Sequence, residues 1–163
     1  MGDFMDFFDL HCDTLTECMD DGDSLLKNKR DIDFERGKIF GRWNQVFAVF
    51  VPDSMDDSLV ESYFDSACDF YWSELKKKGD FFPILSAEDV RGHSRGVMLA
   101  MESSRGVGSL ERLEKLYERG LRLITLTWNA KNRAAGGWQD GSGLSDWGRE
   151  LVAKMEKLGI VTD

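Results

Sequence analysis

The sequence predicts an α/β fold with a largely parallel sheet. Short apolar and β-branched runs alternate with longer stretches whose apolar residues have helical spacing, a pattern typical of repeated βα units. Five candidate strands occur in 163 residues, a length suited to a single domain over 1–163. Because a (β/α)8 barrel needs about 250 residues, the sequence predicts either a small open sheet or the first five or so βα units of a larger TIM-type barrel.

The strands are predicted from their composition and flanking residues. The first covers Phe4 to Leu10. The second is the near-continuous apolar run from Gln45 to Val51, which Pro52 ends, and such a run is typical of a strand buried on both faces. The other three predicted strands cover 96–102, 121–127 and 160–163. Because no helix follows the strand at 160–163, one edge of the sheet is left uncovered, and the barrel is therefore predicted to be truncated.

Three helices are predicted between these strands. The longest covers about 58–78 and is followed by Gly79, a residue that favours the end of a helix. Its last turn is rich in lysine, which complements the helix dipole. The other two predicted helices cover 110–118, followed by Gly120, and 147–157, preceded by the N-cap residue Ser145.

The composition excludes two classes of partner. The formal net charge is -9 and no Lys/Arg stripe offsets it, so nucleic acid is not expected as a partner. The N-terminus has no basic region and no apolar run has the length of a membrane span, which predicts no membrane anchor. The three cysteines lack C-x-x-C spacing, so they are expected to be buried thiols in a cytoplasmic protein.

A histidine and an aspartate stand at the end of the first strand. His11 and Asp13 are two residues apart and therefore point to the same side of an extended chain. An imidazole nitrogen and a carboxylate in this arrangement can bind one metal ion. The alternative is an ordinary polar pair at a strand end.

A third candidate ligand closes the third strand. Glu102 follows the apolar run 97–101, where a carboxylate is costly unless it is paired or bound to a metal. The carboxyl ends of parallel strands share one edge of a sheet, which is where α/β enzymes build their sites. The alternative is a glutamate that is solvated or paired with Arg105. The other histidine, His93, lies in a polar stretch and is predicted to be a surface turn residue.

Several segments resemble the membrane dipeptidase (renal dipeptidase-like) family of zinc metallodipeptidases. The run Asp-Leu-His-Cys-Asp-Thr-Leu at 9–15 resembles the family's opening Asp-x-His-x-Asp motif, and Glu102 after Met101 resembles its metal-bridging glutamate. The matches follow in order along the whole chain, which is more specific than any single motif. The further matching blocks are 120–129 with Asn132, 140–141, 143–148, 150–152 and 158–161.

The resemblance implies a (β/α)8 barrel that hydrolyses dipeptides with two zinc ions. His11 and Asp13 would bind one ion and Glu102 would bridge both. Family substrates include dipeptides with a D-residue in second position and β-lactam analogues. Two further histidine ligands, the catalytic aspartate and the arginine that binds the substrate carboxylate are expected beyond Asp163, so no catalytic residue is assigned here. The chain alone is predicted to be weakly active or inactive.

Two residues that follow the fourth predicted strand are candidates for contact with the dipeptide substrate. Trp128 stands where some relatives have a substrate-contacting histidine, and its role is either pocket wall or plain packing. Asp140 lies within 129–142, a polar segment predicted to be a long functional loop. The alternative for Asp140 is a turn residue before Gly141.

Two other functions remain open at this stage. The chain is alternatively a truncated, non-catalytic domain that binds metal or associates with itself as a homo-oligomer, since an exposed strand edge favours pairing. His-x-Asp and a strand-end glutamate would also serve a different metal-dependent amidohydrolase or phosphoesterase. The ligand types fit zinc without excluding manganese or cobalt.

Overall fold

Parallel strands alternate with helices in the computed structural model, which describes residues 5–77 and 80–163. This alternation confirms the predicted α/β class. The strands are β1 (Asp6–Cys12), β2 (Arg42–Phe50), β3 (Phe82–Pro83), β4 (Arg95–Glu102), β5 (Leu121–Thr125) and β6 (Val161–Thr162). The helices are α1 (Thr14–Asp21), α2 (Phe34–Gly37), α3 (Asp57–Lys76), α4 (Ala87–Gly92), α5 (Leu110–Glu118) and α6 (Asp146–Leu158), with a short 3-10 helix at Ser104–Val107.

The strands hydrogen-bond in the order β1-β2-β4-β5-β6, and β3 pairs with β4. β1 and β2 are parallel, with Asp9 opposite Gln45 and Cys12 opposite Phe47. Three steps along β1 therefore match two steps along β2. The extra residue in β1 forms a β-bulge between Asp9 and Cys12, and His11 lies within it.

The chain divides into two compact units, the first of which comprises residues up to Ala48 and Ala67–Leu99. Its core is aromatic. The ring of Phe34, at the start of α2, stacks on Phe81 at 4.0 Å between centroids and meets Trp43 and Phe47 of β2 edge to face. Burial of these large rings supplies much of the unit's stability, and it fixes the β1–β2 crossover against β2.

The second unit comprises Val49–Ser66 and Ala100–Asp163. Its helices α5 and α6 pack on each other, α5 on β5 and α6 on β6. Leu113 and Leu116 are buried on α5, three residues apart, and Leu151 and Met155 are buried on α6, four residues apart. This spacing places one apolar stripe of each helix in the core.

Most predicted elements are found with shifted ends. β2 begins at Arg42, earlier than the predicted Gln45, because Arg42 pairs with Asp6 and the Trp43 N–H donates to the Ser94 carbonyl. β1 likewise extends to Cys12. The predicted start of the first strand at Phe4 and the predicted helix end at Lys78 and Gly79 lie outside the described residues.

β5 ends at Thr125, before the predicted Thr127. The carbonyl of the intervening Leu126 accepts hydrogen bonds from the Ser104 N–H at 3.2 Å, from the Ser104 hydroxyl at 2.7 Å and from Asn132 Nδ2 at 2.7 Å. These hydrogen bonds take the place of those that the Leu126 carbonyl would make to a neighbouring strand. The long loop predicted after this strand is found, with a single antiparallel bridge between Ala135 and Leu144.

The sequence prediction missed several short elements. Helices α1, α2 and α4 and the two-residue strand β3 have eight residues or fewer, which is too short for a clear apolar periodicity. Among the described residues, no helix combines the length and the apolar content required to cross a bilayer.

Candidate metal centre

The first two candidate ligands flank the end of β1. His11 lies in the bulge of β1, and Asp13 stands between β1 and α1. His11 Nε2 and Asp13 Oδ1 are 3.4 Å apart. A tetrahedral zinc ion with bonds of about 2.0 to 2.1 Å separates its ligand atoms by roughly 3.3 Å. The observed spacing therefore fits two ligands of one ion.

Asp13 has the position of a helix cap, but its side chain does not act as one. As the N-cap residue of α1 it makes no capping hydrogen bond through its carboxylate, although aspartate is among the best capping residues. Its carbonyl accepts hydrogen bonds from the Thr16 hydroxyl at 2.9 Å and from the Glu17 N–H at 3.2 Å. Oδ1 is buried without a hydrogen-bond donor among the described residues. This oxygen is therefore available to a cation.

Glu102 is the last residue of β4 and is only 8% exposed. The carbonyl of Glu102 accepts a hydrogen bond from the Val51 N–H at 2.9 Å, which fixes the strand end. Arg105, the arginine considered as its ion-pair partner, instead binds Asp57 at 2.7 Å and the Pro52 carbonyl at 3.0 Å. The cation offered by the nearby sequence is therefore engaged elsewhere.

One ligand atom from each of His11, Asp13 and Glu102 lies within 4.8 Å of the other two. One nitrogen and two carboxylate oxygens form a donor set that zinc accepts. The three residues form a possible metal-binding triad.

The cysteines do not add to this donor set. All three are free, and Cys18 and Cys68 are fully buried, which confirms their prediction as buried thiols. Cys12 is half-buried beside the candidate ligands, and burial raises the pKa of its thiol to about 12. The ligand atoms that lie within 4.8 Å of one another come from His11, Asp13 and Glu102, and this sulfur is not among them.

The two candidate substrate contacts lie in the loop after β5. The Trp128 side chain is 42% exposed, and its ring meets Phe50 edge to face at 5.0 Å between centroids. Asp140 Oδ1 accepts hydrogen bonds from the hydroxyl of Ser142 and from its N–H at 3.0 Å. These bonds, first the one from the hydroxyl, hold the pKa of Asp140 below its ordinary value. They are also the bonds of an Asx turn.

His93 lies at the other end of β4 from Glu102. It follows α4 and precedes β4, and its ring stacks on Phe82 at 4.0 Å between centroids. A stacked, half-buried ring at this place serves packing. The structure therefore adds a specific contact to the prediction of a turn residue.

Sequence reasoning assigned no role of their own to two residues beside the candidate ligands, Asp9 and Gln45. Asp9 Oδ2 accepts a hydrogen bond of 2.9 Å from Nε2 of Gln45, and Gln45 is fully buried in β2. The available signal was an amide inside an apolar strand, since a buried polar side chain is normally hydrogen-bonded. Its partner could not be identified without the β1–β2 register.

Together, the parallel α/β sheet and a histidine-carboxylate cluster at strand ends define an α/β protein with a candidate metal centre. The model of the membrane dipeptidase family, peptidase family M19, matches residues 3–163. The chain belongs to this family. The resemblance found in the sequence is thereby confirmed.

Solved structures of similar fold include a dipeptidase, a metallopeptidase and a probable dipeptidase. Dipeptidase AC, a metallopeptidase of family M19, superimposes with a TM-score of 0.80 at 19% identity over 99% of this chain. A metallopeptidase from Rhodobacter sphaeroides, liganded with a phosphinate mimic of the dipeptide L-Ala-D-Ala, gives 0.78 at 21% over 99%. The probable dipeptidase PvdM from Pseudomonas aeruginosa gives 0.78 at 18% over 98%.

The chain spans about half the length of these proteins. It covers 57% of dipeptidase AC, 58% of the Rhodobacter sphaeroides enzyme and 46% of PvdM. Identities this low support a likeness of fold. The prediction of an α/β fold that corresponds to part of a TIM-type barrel is confirmed.

Proposed function

We propose that this chain belongs to a zinc-dependent dipeptidase and binds zinc through His11, Asp13 and Glu102. The observation that carries the proposal is the clustering of these three ligand atoms within 4.8 Å in a chain of the membrane dipeptidase family. The neighbouring fold is that of metallopeptidases. Family and geometry support the same chemistry.

The donor set is suited to a metal ion for a second reason. A buried carboxylate oxygen without a donor is costly, and Asp13 Oδ1 is such an atom. Asp13 also forgoes the stabilising cap that its position offers. A cation held between Asp13, His11 and Glu102 would compensate for both.

The protein residues hold and orient the centre in this proposal. His11 would provide its neutral imidazole nitrogen, and Asp13 and Glu102 would provide carboxylate oxygens whose charge favours a divalent cation. A bound zinc ion supplies Lewis acidity, which polarises a peptide carbonyl and lowers the pKa of water. Glu102 would also be offered to a second ion, and it is the one ligand that the described residues are proposed to give that ion. The catalytic acid or base is unassigned.

We infer that the substrate is a small dipeptide. Support comes from the family and from the dipeptide mimic bound by the Rhodobacter sphaeroides enzyme. Trp128 and Asp140, both on the loop after β5, are proposed as substrate contacts. An exposed indole offers an apolar surface to a side chain, and the negative charge of the Asp140 carboxylate attracts an ammonium group. A cytoplasmic location fits the three free thiols.

The first test is the zinc content of the purified chain. About one zinc per protomer is expected, because three ligands are available to one ion and one to a second. Glu102→Ala should lose most of it, while Glu88→Ala, whose side chain is 81% exposed, serves as the control. A chain without bound zinc, or equal zinc in both variants, would refute the proposed centre.

The second test measures hydrolysis on the same samples, with dipeptides that include L-Ala-D-Ala compared with phosphoesters. Weak or absent turnover of the dipeptides is expected, since the described residues are proposed to give the second ion a single ligand. Turnover of phosphoesters in preference to dipeptides would support the other hydrolase class. Two zinc ions with full dipeptide turnover, lost on dilution, would show that a second copy completes the site.

A further inference from the structure

The candidate ligand His11 lies on an irregular piece of strand. The bulge between Asp9 and Cys12 interrupts the regular β1–β2 ladder. A bulge leaves its extra residue unpaired and changes the direction of the side chains that it carries. The position of a ligand on such a segment depends on whatever fixes the bulge.

The carboxylate of Asp9 accepts one hydrogen bond from within the bulge and one from the neighbouring strand β2. Asp9 Oδ1 accepts a long hydrogen bond of 3.4 Å from the backbone N–H of His11, as in an Asx turn. Asp9 Oδ2 accepts the bond of 2.9 Å from Gln45 Nε2. One side chain therefore ties the bulge of β1 to the buried face of β2.

A buried glutamine such as Gln45 costs more free energy than an apolar side chain of similar size would at the same place. It is fully buried, and Nε2 donates to Asp9 and also to the Val46 carbonyl at 3.1 Å. Because a carboxylate only accepts hydrogen bonds, Asp9 fixes the amide with its NH2 group towards itself. Gln45 Oε1 is then left buried without a hydrogen-bond donor in the described part of the chain. An apolar side chain of similar size would avoid this cost.

We propose that Asp9 and Gln45 are positioning residues, which hold the β1 bulge so that His11 presents its imidazole to the metal ion. This inference rests on the proposed zinc centre. Partners that orient a metal ligand affect metal affinity although they do not touch the ion. Gln45 is locked by the core, Asp9 is oriented by Gln45, and the backbone of His11 is oriented by Asp9.

The experiment compares matched variants of the 163-residue chain. Asp9→Ala removes both bonds, Gln45→Met removes the amide while keeping the side-chain size, and Asp9→Asn keeps an acceptor for the His11 N–H. Asn44→Leu is the control, because Asn44 is also a buried amide of β2 with an unpartnered Oδ1. Zinc dissociation constants are measured by competition with a chromophoric chelator. Thermal unfolding of each metal-free variant is recorded alongside.

Asp9→Ala and Gln45→Met are expected to raise the zinc dissociation constant at least about tenfold, and Asn44→Leu to leave it nearly unchanged at a similar loss of thermal stability. Asp9→Asn should fall between the wild type and Asp9→Ala. In the metal-free chain, Asp9→Ala should also accelerate hydrogen exchange of the His11 amide. This readout does not depend on zinc.

Three results would overturn the inference. Unchanged affinity in both Asp9→Ala and Gln45→Met, in a wild type that binds zinc, would refute the positioning role alone. An equal loss in Asn44→Leu would reduce the effect to general damage of β2. A wild type that binds no zinc would refute the proposed centre itself and the positioning role with it. If Asp9→Ala fails to fold, Asp9→Asn and Gln45→Met decide the question.

Discussion

Two buried glutamates of this chain have different surroundings. Glu74 of α3 is 1% exposed, and its carboxylate accepts hydrogen bonds from the Ser24 hydroxyl at 2.6 Å, from the Leu25 N–H at 3.0 Å and from the ammonium of Lys77. Glu102 ends a strand and takes part in the possible metal triad. The partners of Glu74 are those of a structural anchor, which holds the segment after α1 on α3.

Glu74→Ala is expected to destabilise the chain by about 2 to 4 kcal/mol. The reason is that it leaves a hydroxyl and an N–H without their acceptor and removes charge-assisted hydrogen bonds. Urea unfolding of the metal-free chain measures the change. Glu88→Ala, at an exposed site, should stay within about 0.5 kcal/mol. Equal stability of the two variants would show that the Glu74 contacts contribute nothing.

Serine side chains cap the N-termini of two helices. Ser145 caps α6, and its Oγ accepts a hydrogen bond from the Gly148 N–H at 2.9 Å and donates one of 2.7 Å to the Arg133 carbonyl. The capping residue therefore joins the start of α6 to the preceding loop. The same type of residue, Ser86, caps α4 through the Asp89 N–H.

Ser145→Ala should lower the free energy of unfolding by roughly 1 to 2 kcal/mol, because one helix N–H and one loop carbonyl lose their partner. Chemical denaturation provides the measurement. Ser62→Ala is the control, since Ser62 lies inside α3 on its exposed side. A loss at Ser62 as large as that at Ser145 would contradict a capping role.

The free energy of unfolding is expected to depend on pH through Asp89, which lies in the first turn of α4. The backbone N–H of Leu85, then the Ser86 hydroxyl, hold the pKa of Asp89 below its ordinary value of 3.8. A depressed folded-state pKa stabilises the fold above the unfolded value, and this contribution is lost as the pH falls through the folded value. Asp89→Asn should therefore reduce stability slightly at pH 7, and the difference should close below about pH 4. Unfolding curves between pH 7 and pH 2.5 test this. A difference that widens on acidification would contradict it.

Metal binding couples the site to the stability of the whole molecule. A ligand that binds only the folded state stabilises it by about 2.7 kcal/mol at a hundred times its dissociation constant. For a chain of this length the melting temperature should then rise by about 5 to 10 °C. This rise follows from the proposed centre formed by His11, Asp13 and Glu102.

His11→Ala should abolish most of the rise, and a chelator should reverse the rise in the wild type. Differential scanning calorimetry with and without zinc is the measurement. His93→Ala is the matched control, because His93 stacks on Phe82 at the other end of β4 from Glu102. An equal zinc-dependent rise in His11→Ala would show that zinc binds elsewhere. The single-domain organisation over 1–163 remains a prediction. Self-association also remains a prediction, and sedimentation at several protein concentrations tests it.

The sequence by itself determined the features that depend on local chemistry. The bounds of α5, the Ser145 cap, and Glu102 as the last residue of β4 were all predicted, because capping residues and apolar periodicity act within a few positions of the chain. The family was also recognised from ordered motifs. His11, Asp13 and Glu102 were selected as ligands from residue type and position.

Only the tertiary structure decided which groups meet. The bulge in β1, the Asp9–Gln45 hydrogen bond and the engagement of Arg105 by Asp57 join residues whose separation in sequence carries no signal of contact. The end of β5 was likewise decided by donors from other segments. The physical reason is that strand register and buried hydrogen bonds are properties of packed segments. A linear pattern shows that a polar residue is buried, whereas the fold determines its partner.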